Sequence, residues 1–197
     1  VDLSDISEET RSLAQRIKDA VFAATGLSCS IGVTPNKLLS KIASDLEKPN
    51  GLTILSLDDV PIRIWPLAAK KVNGIGPKAS ERLERHGIRT IGELAATPQE
   101  FLIRKFGRST GLWMHRIAHG IDDRPVVTES EPKSISRETT FERDLHVRQD
   151  KPELSEKFTS LCLRVGDDLK RKGYACRTIG IKIRYADFSV VTRDVTL

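Results

Sequence analysis

The chain has 197 residues, 39% hydrophobic and 30% charged, with 13 glycines and 9 prolines, a composition close to that of globular domains and far from collagenous, low-complexity or wholly disordered chains. No uninterrupted apolar run approaches the roughly 20 residues that a membrane-spanning helix needs, and the opening Val1-Asp2-Leu3-Ser4-Asp5 lacks the basic and apolar pattern of an export signal. The net charge of +5 is unevenly placed, with −2 on residues 1–65, +6 on residues 66–121 and +1 on residues 122–197, which makes the middle block a candidate for binding a polyanion.

In chain order, periodicity predicts an amphipathic helix over residues 7–25, with Leu13, Ile17, Ala20, Val21 and Ala24 on one face and Gly26 ending it. Residues 28–33 read as a short strand. Thr34-Pro35 then supplies an N-cap and first-turn proline for a helix lasting until Pro49, Lys48-Pro49-Asn50-Gly51 makes a turn, and residues 52–55 form a second strand. This alternation is α/β in style, and two strands alone leave their direction open. Over residues 66–120 every element reads as helix, interrupted by glycines and capping residues. Residues 122–133 hold two prolines and a run of charges without periodicity, an exposed linker. A strand over 134–141, a helix over 152–172 and strands over 178–185 and 190–197 follow. The helix carries Leu154, Phe158, Leu161, Val165 and Leu169 in one stripe. In the first of the two later strands Ile179, Ile181, Ile183 and Tyr185 alternate with Gly180, Lys182 and Arg184. The chain ends inside a strand with no element to cover its edge, so this last unit is expected to be incomplete. The predicted class is α+β multi-domain: a partial α/β segment, an all-helical block and a second partial α/β segment.

The three cysteines, Cys29, Cys162 and Cys176, are far apart, which argues against a disulfide framework or a zinc ribbon. His115 and His119 have helical spacing, but Arg116 stands where a zinc protease needs a glutamate, and the pair reads as surface or groove-facing. The strongest local signal is Val72-Asn73-Gly74-Ile75-Gly76-Pro77-Lys78. Two glycines around an inward-facing isoleucine make a helix-hairpin-helix turn in which bare backbone amides approach a phosphate, and Lys78 adds charge. Such a turn grips a sugar-phosphate backbone without reading bases. A looser version is Gly107-Arg108-Ser109-Thr110-Gly111. Lys37 and Lys41, one helical turn apart, with Lys48 on the following turn, form a lysine ladder. It could neutralise a polyphosphate, but taken alone such a ladder is more often a solvated face.

The order of these motifs is more specific than any one of them. Ser30-Ile31-Gly32-Val33, Asn36 to Asp45, Lys48-Pro49-Asn50-Gly51, the Gly74 hairpin, Gly87 to Leu94 and Lys133 to Glu138 together resemble the Y-family translesion DNA polymerases, over essentially the whole chain. The resemblance implies that residues 1–65 are a partial palm, 66–121 the thumb, 122–133 a linker and 134–197 the start of the little finger. It implies a low-fidelity, DNA-directed DNA polymerase (a nucleotidyltransferase) acting on damaged templates in the cytoplasm. Its partners would be primer-template DNA, deoxynucleoside triphosphates and a sliding clamp reached through a tail outside this chain.

By the same resemblance Lys48 contacts the triphosphate with Lys41 assisting; Gly74, Gly76 and Lys78 hold the primer-strand backbone; Gly107, Arg108, Ser109 and Gly111 make the second thumb contact; and Ser134, Ser136 and Arg137 lie along the template backbone. The family works with two Mg²⁺ ions on three carboxylates, two of them in a Ser-x-Asp-Glu motif that this sequence lacks. Alignment puts that pair a few residues before Val1, with Asp2 and Asp5 at non-catalytic positions. The chain is therefore expected to be an internal fragment, inactive by itself. The alternative is a non-catalytic helix-hairpin-helix DNA-binding or scaffold protein without the metal carboxylates.

Overall fold

In the computed structural model, which describes residues 1–197, α1 spans Thr10–Thr25 and begins where a side chain first closes its free amides: Glu9 accepts from Arg11 (3.0 Å) and Ser12 (2.7 Å). Its buried face centres on Ala14 and Lys18, with Leu13, Ile17 and Val21 half-buried, whereas Ala20 and Ala24 of the expected stripe are exposed. β1 (Ile31–Val33) and β2 (Leu52–Ile54) run parallel, joined through α2 (Lys37–Leu46) as a βαβ crossover. α2 starts later than the sequence suggested. Asn36, not Thr34, is its N-cap, accepting from the Leu39 amide at 3.0 Å, and Thr34 instead bonds the Asn36 carbonyl (2.8 Å). It also stops before Lys48, since a residue preceding proline is disfavoured in helical conformation.

A π-helical turn (Val60–Ile64) and a 3-10 turn (Ala69–Lys71) lead into α3 (Pro77–Glu84), α4 (Ile91–Ala96), α5 (Gln99–Phe106) and α6 (Arg108–Ala118). One continuous core joins Leu38, Leu39 and Ile42 of α2 to Ile64, Leu83, Ile91, Leu94, Leu102 and Met114. Segments 1–65 and 66–121 thus share an interior. Polar bonds tie the same segments: Asn36 Nδ2 donates to the Gly120 carbonyl at 2.7 Å, and Trp65 Nε1 donates to the Ala118 carbonyl at 2.9 Å.

Residues 1–128 form one compact unit and residues 129–197 a second. The second contains α7 (Lys151–Lys172) and an antiparallel pair, β3 (Thr178–Arg184) and β4 (Val190–Thr196), in register from Thr178↔Thr196 to Arg184↔Val190. The strand expected over residues 134–141 is not formed. Alternation alone does not make a strand without a backbone partner, and β3 pairs only with β4. Side chains hold that segment instead, through the Arg137–Asp168 and Lys182–Glu138 ion pairs.

Candidate nucleic-acid interface

The Gly74 hairpin is built from its buried ends outward. Val72 and Ile75 are in the core, and the Ile75 amide bonds the Val72 carbonyl at 3.0 Å to close the turn. Gly74 has φ 109°, and a Cβ there would stand 2.8 Å from the Trp113 ring on α6. Only glycine satisfies both conditions. Gly76, in extended backbone, precedes α3 with no side chain to cap it, and Pro77 takes the first helical position. The Ser80 amide bonds the Gly76 carbonyl at 2.9 Å, while the amides of Lys78 and Ala79 have no protein acceptor. Gly74, Gly76 and Lys78 are all exposed.

The second loop turns at Gly107 (φ 87°) directly into α6, again with no side-chain cap. Arg108, Ser109 and Thr110 are exposed, and their amides have no protein acceptor. Gly111 differs from its neighbours: it is buried, and a Cβ there would come within 2.5 Å of the Ile103 backbone. Its smallness lets α5 and α6 approach each other closely. Trp113, further along the same helix, rests against Gly74 and so joins the two loops mechanically.

A comparison of the helix starts sets these two apart. α1, α2 and α4 are closed by Glu9, Asn36 and Thr90, the last in a capping box with Glu93. α5 and α7 are uncapped but carry Glu100 and Glu153 in their first turns. α3 and α6 have neither a side-chain cap nor an acidic first turn, so the partial positive charge of their free amides is left unanswered.

Lys41 and Lys48 are brought together on one carboxylate. Lys41 Nζ lies 2.8 Å from Asp45 Oδ2, and Lys48 Nζ lies 2.5 Å from Asp45 Oδ1. These two ammonium groups, Lys41 first, pull the Asp45 carboxyl down to about 2. Lys48 begins a turn with a cis bond to Pro49 and a left-handed Asn50 (φ 61°). Beneath that turn is a residue that sequence reasoning missed. Lys18, 7% exposed, donates to the carbonyls of Cys29 (3.1 Å), Asn50 (2.5 Å) and Gly51 (3.1 Å). The signal was present in the pattern: Lys18 falls one turn after Ala14 and between Ile17 and Val21, inside the face that packs on the strands.

In residues 129–197, Ser134 and Ser136 are exposed. The Arg137 guanidinium is already engaged, its Nε donating to the buried Asp168 at 2.6 Å, with Arg171 on the other carboxylate oxygen. Arg137 is the main reason the Asp168 carboxyl is held below the usual carboxylate range. On α6, burial and the neighbouring His119 push His115 down. No cluster of three or more His, Cys, Asp or Glu side chains able to hold a metal occurs in these residues. The three-carboxylate donor set that two Mg²⁺ ions need is thus not assembled by these residues.

Residues 1–45 match the impB/mucB/samB family and residues 132–197 the impB/mucB/samB family C-terminal domain, while residues 70–122 match a DNA polymerase-iota thumb domain. Among curated relatives, "DNA polymerase IV" of Methanoculleus marisnigri is 42% identical over 199 residues, covering 100% of this chain and 54% of the relative. "DNA polymerase IV 1" of Bacillus subtilis is 39% identical over 201 residues, covering 100% and 48%. "DNA polymerase IV" of Moorella thermoacetica is 36% identical over 195 residues, covering 98% and 48%. The chain spans about half the length of these relatives. With both ends matched to one family and a polymerase thumb between them, the chain belongs to the impB/mucB/samB family, the Y family of DNA polymerases.

Proposed function

We propose that this chain is part of a translesion DNA-directed DNA polymerase and supplies its grip on the sugar-phosphate backbone together with part of the triphosphate site. The observation that carries this reading is the pair of open helix starts. Among the α-helices, only α3 and α6 present free amides with neither cap nor acidic first turn, they follow the two glycine loops, and they lie in the block of charge +6. Phosphate oxygens accept from the amides of Lys78 and Ala79 and from those of Arg108 to Thr110, while the Lys78 and Arg108 side chains add attraction. No base edge is read, so one grip serves any sequence. The Lys41–Asp45–Lys48 cluster receives the triphosphate, which displaces Asp45 as the anion shared by the two lysines.

The matching relatives favour the polymerase over a non-catalytic scaffold. On this reading the partners are primer-template DNA, deoxynucleoside triphosphates and a sliding clamp, the setting is repair of damaged DNA in the cytoplasm, and Ser134, Ser136 and the main chain at Arg137 follow the template strand while Asp168 keeps the Arg137 guanidinium. Chemistry at the primer terminus belongs to carboxylates and Mg²⁺ that these residues do not supply. The test is binding of the 197-residue chain to labelled primer-template DNA across a salt series. Affinity should fall steeply with salt, and Lys78→Ala and Arg108→Ala should each reduce the log–log salt slope by about 1. Salt-independent binding, or primer extension by this chain, would contradict the assignment.

A further inference from the structure

We propose that Lys18 is a positioning residue for the anion site at Lys48, an inference that rests on reading Lys48 as a triphosphate contact. Three acceptors around one Nζ require three N–H donors, which is the ammonium form. Its partners are the carbonyls of Cys29, Asn50 and Gly51, and no carboxylate is among them. A cation withdrawn from water without a counter-ion persists only where every donor is bonded. That condition is met here, at 7% exposure. The three carbonyls belong to the two chain segments that enter the parallel sheet: Cys29 just before β1, and Asn50 and Gly51 just before β2.

The same junction is tied by backbone. The Ile31 amide donates to the Gly51 carbonyl at 3.0 Å, and the Gly51 amide donates to Ser30 Oγ at 3.1 Å. Lys18 is the only side chain that also holds Asn50, whose φ of 61° a non-glycine residue rarely adopts. Lys48 is two residues away from that anchor. With Lys18 removed, three carbonyls lose their donors, the Asn50 conformation loses its restraint, and the Lys48 ammonium is no longer delivered beside Lys41. A cleft of about 250 Å³ lined by Gln15, Lys18, Asp19, Phe22, Ser28 and Asn50 opens beside this junction, wide enough to admit a small alkylammonium ion.

The experiment measures tripolyphosphate affinity of the 197-residue chain and its variants by calorimetry. Lys18→Ala is expected to weaken binding about tenfold, and the Lys18→Ala/Lys48→Ala double variant to bind no more weakly than Lys48→Ala alone, because coupled residues are not additive. Propylammonium, which replaces the atoms deleted from Lys18, should restore Lys18→Ala and leave Lys48→Ala unchanged. A purely structural role would move thermal stability without this selective recovery. Unchanged affinity in Lys18→Ala, additive losses in the double variant, or absence of rescue overturns the proposal while leaving the Lys48 reading intact. Unchanged affinity in Lys48→Ala overturns both. If Lys18→Ala does not fold, Lys18→Arg is measured in its place. Its planar fork cannot reproduce a three-way donor, so weakened binding is expected and wild-type affinity overturns the proposal.

Discussion

In residues 1–128 the interior is apolar, and every buried hydrophobic side chain of the molecule, from Ala14 to Ala118, is found there. In residues 129–197 the one buried residue is Asp168, while Phe158, Leu163, Ile179 and Phe188 are exposed. That second unit relies on arginines: Arg137 and Arg171 on Asp168, and Arg143 on Asp150 and Glu153. The contrast bears on function. A unit stabilised by apolar burial can leave two helix starts electrically open for a ligand, whereas a unit stabilised by ion pairs uses its cations on itself.

The largest expected effect tests the apolar side of this contrast. Leu83, fully buried, should cost about 2–5 kcal/mol on replacement by alanine, as truncation leaves both lost transfer energy and a cavity. Leu161→Ala in α7, at a half-buried position, should cost clearly less. Comparable losses for the two variants, read from urea unfolding, would erase the distinction.

Acid should separate the units next. Arg143 holds the Asp150 carboxyl down to about 2, and Arg137 lowers that of Asp168. Each folded-state value lies below the ordinary 3.8, so the stabilisation is present above about pH 4 and is lost as pH falls through the lowered values, for Asp150 toward about 2. Asp45 behaves alike, but its unit keeps an apolar core. Residues 129–197 should therefore unfold first. The readout is unambiguous, because both tyrosines, Tyr174 and Tyr185, lie in the second unit and both tryptophans, Trp65 and Trp113, in the first. Simultaneous loss of the two signals would break the comparison. Arg137→Ala should lower the tyrosine-reported melting temperature at pH 7 and leave the tryptophan-reported one in place.

These contrasts were unevenly legible in the sequence. Glycine and proline punctuation gave the helical block, since Gly74, Pro77, Gly87 and Gly107 act through local backbone geometry that needs no partner. The hairpin's inward Ile75 was legible for the same reason. The strand over 134–141 was misread because a ladder depends on a second segment, which periodicity does not supply. Gly111 looked like a phosphate contact until the approach of α5 gave its smallness another cause. The place of Lys18 on the packed face was legible from Ala14, Ile17 and Val21, but its partners were not, because they are carbonyls 11 to 33 residues away. Asp45, by contrast, could have been found from its spacing to Lys41 and Lys48.

The smallest expected effect examines the open helix starts themselves, and its value is in its signs. Gly76 has φ −77° and ψ 176°, an extended conformation open to any residue, and a Cβ there meets nothing within 4 Å. Gly76→Ser therefore introduces no strain and offers α3 the side-chain acceptor that Thr90 already gives α4. Serine in place of glycine at an N-cap should stabilise by a few tenths of a kcal/mol. The hydroxyl would gain that by accepting from the amide of Lys78 or Ala79, the donors assigned to a phosphate, so DNA affinity should fall as stability rises. A more stable variant with undiminished DNA binding would show that those amides are not the anion contact. A rise in stability coupled to a loss of grip would show that α3 stays uncapped at a cost in stability that keeps those amides free for the anion.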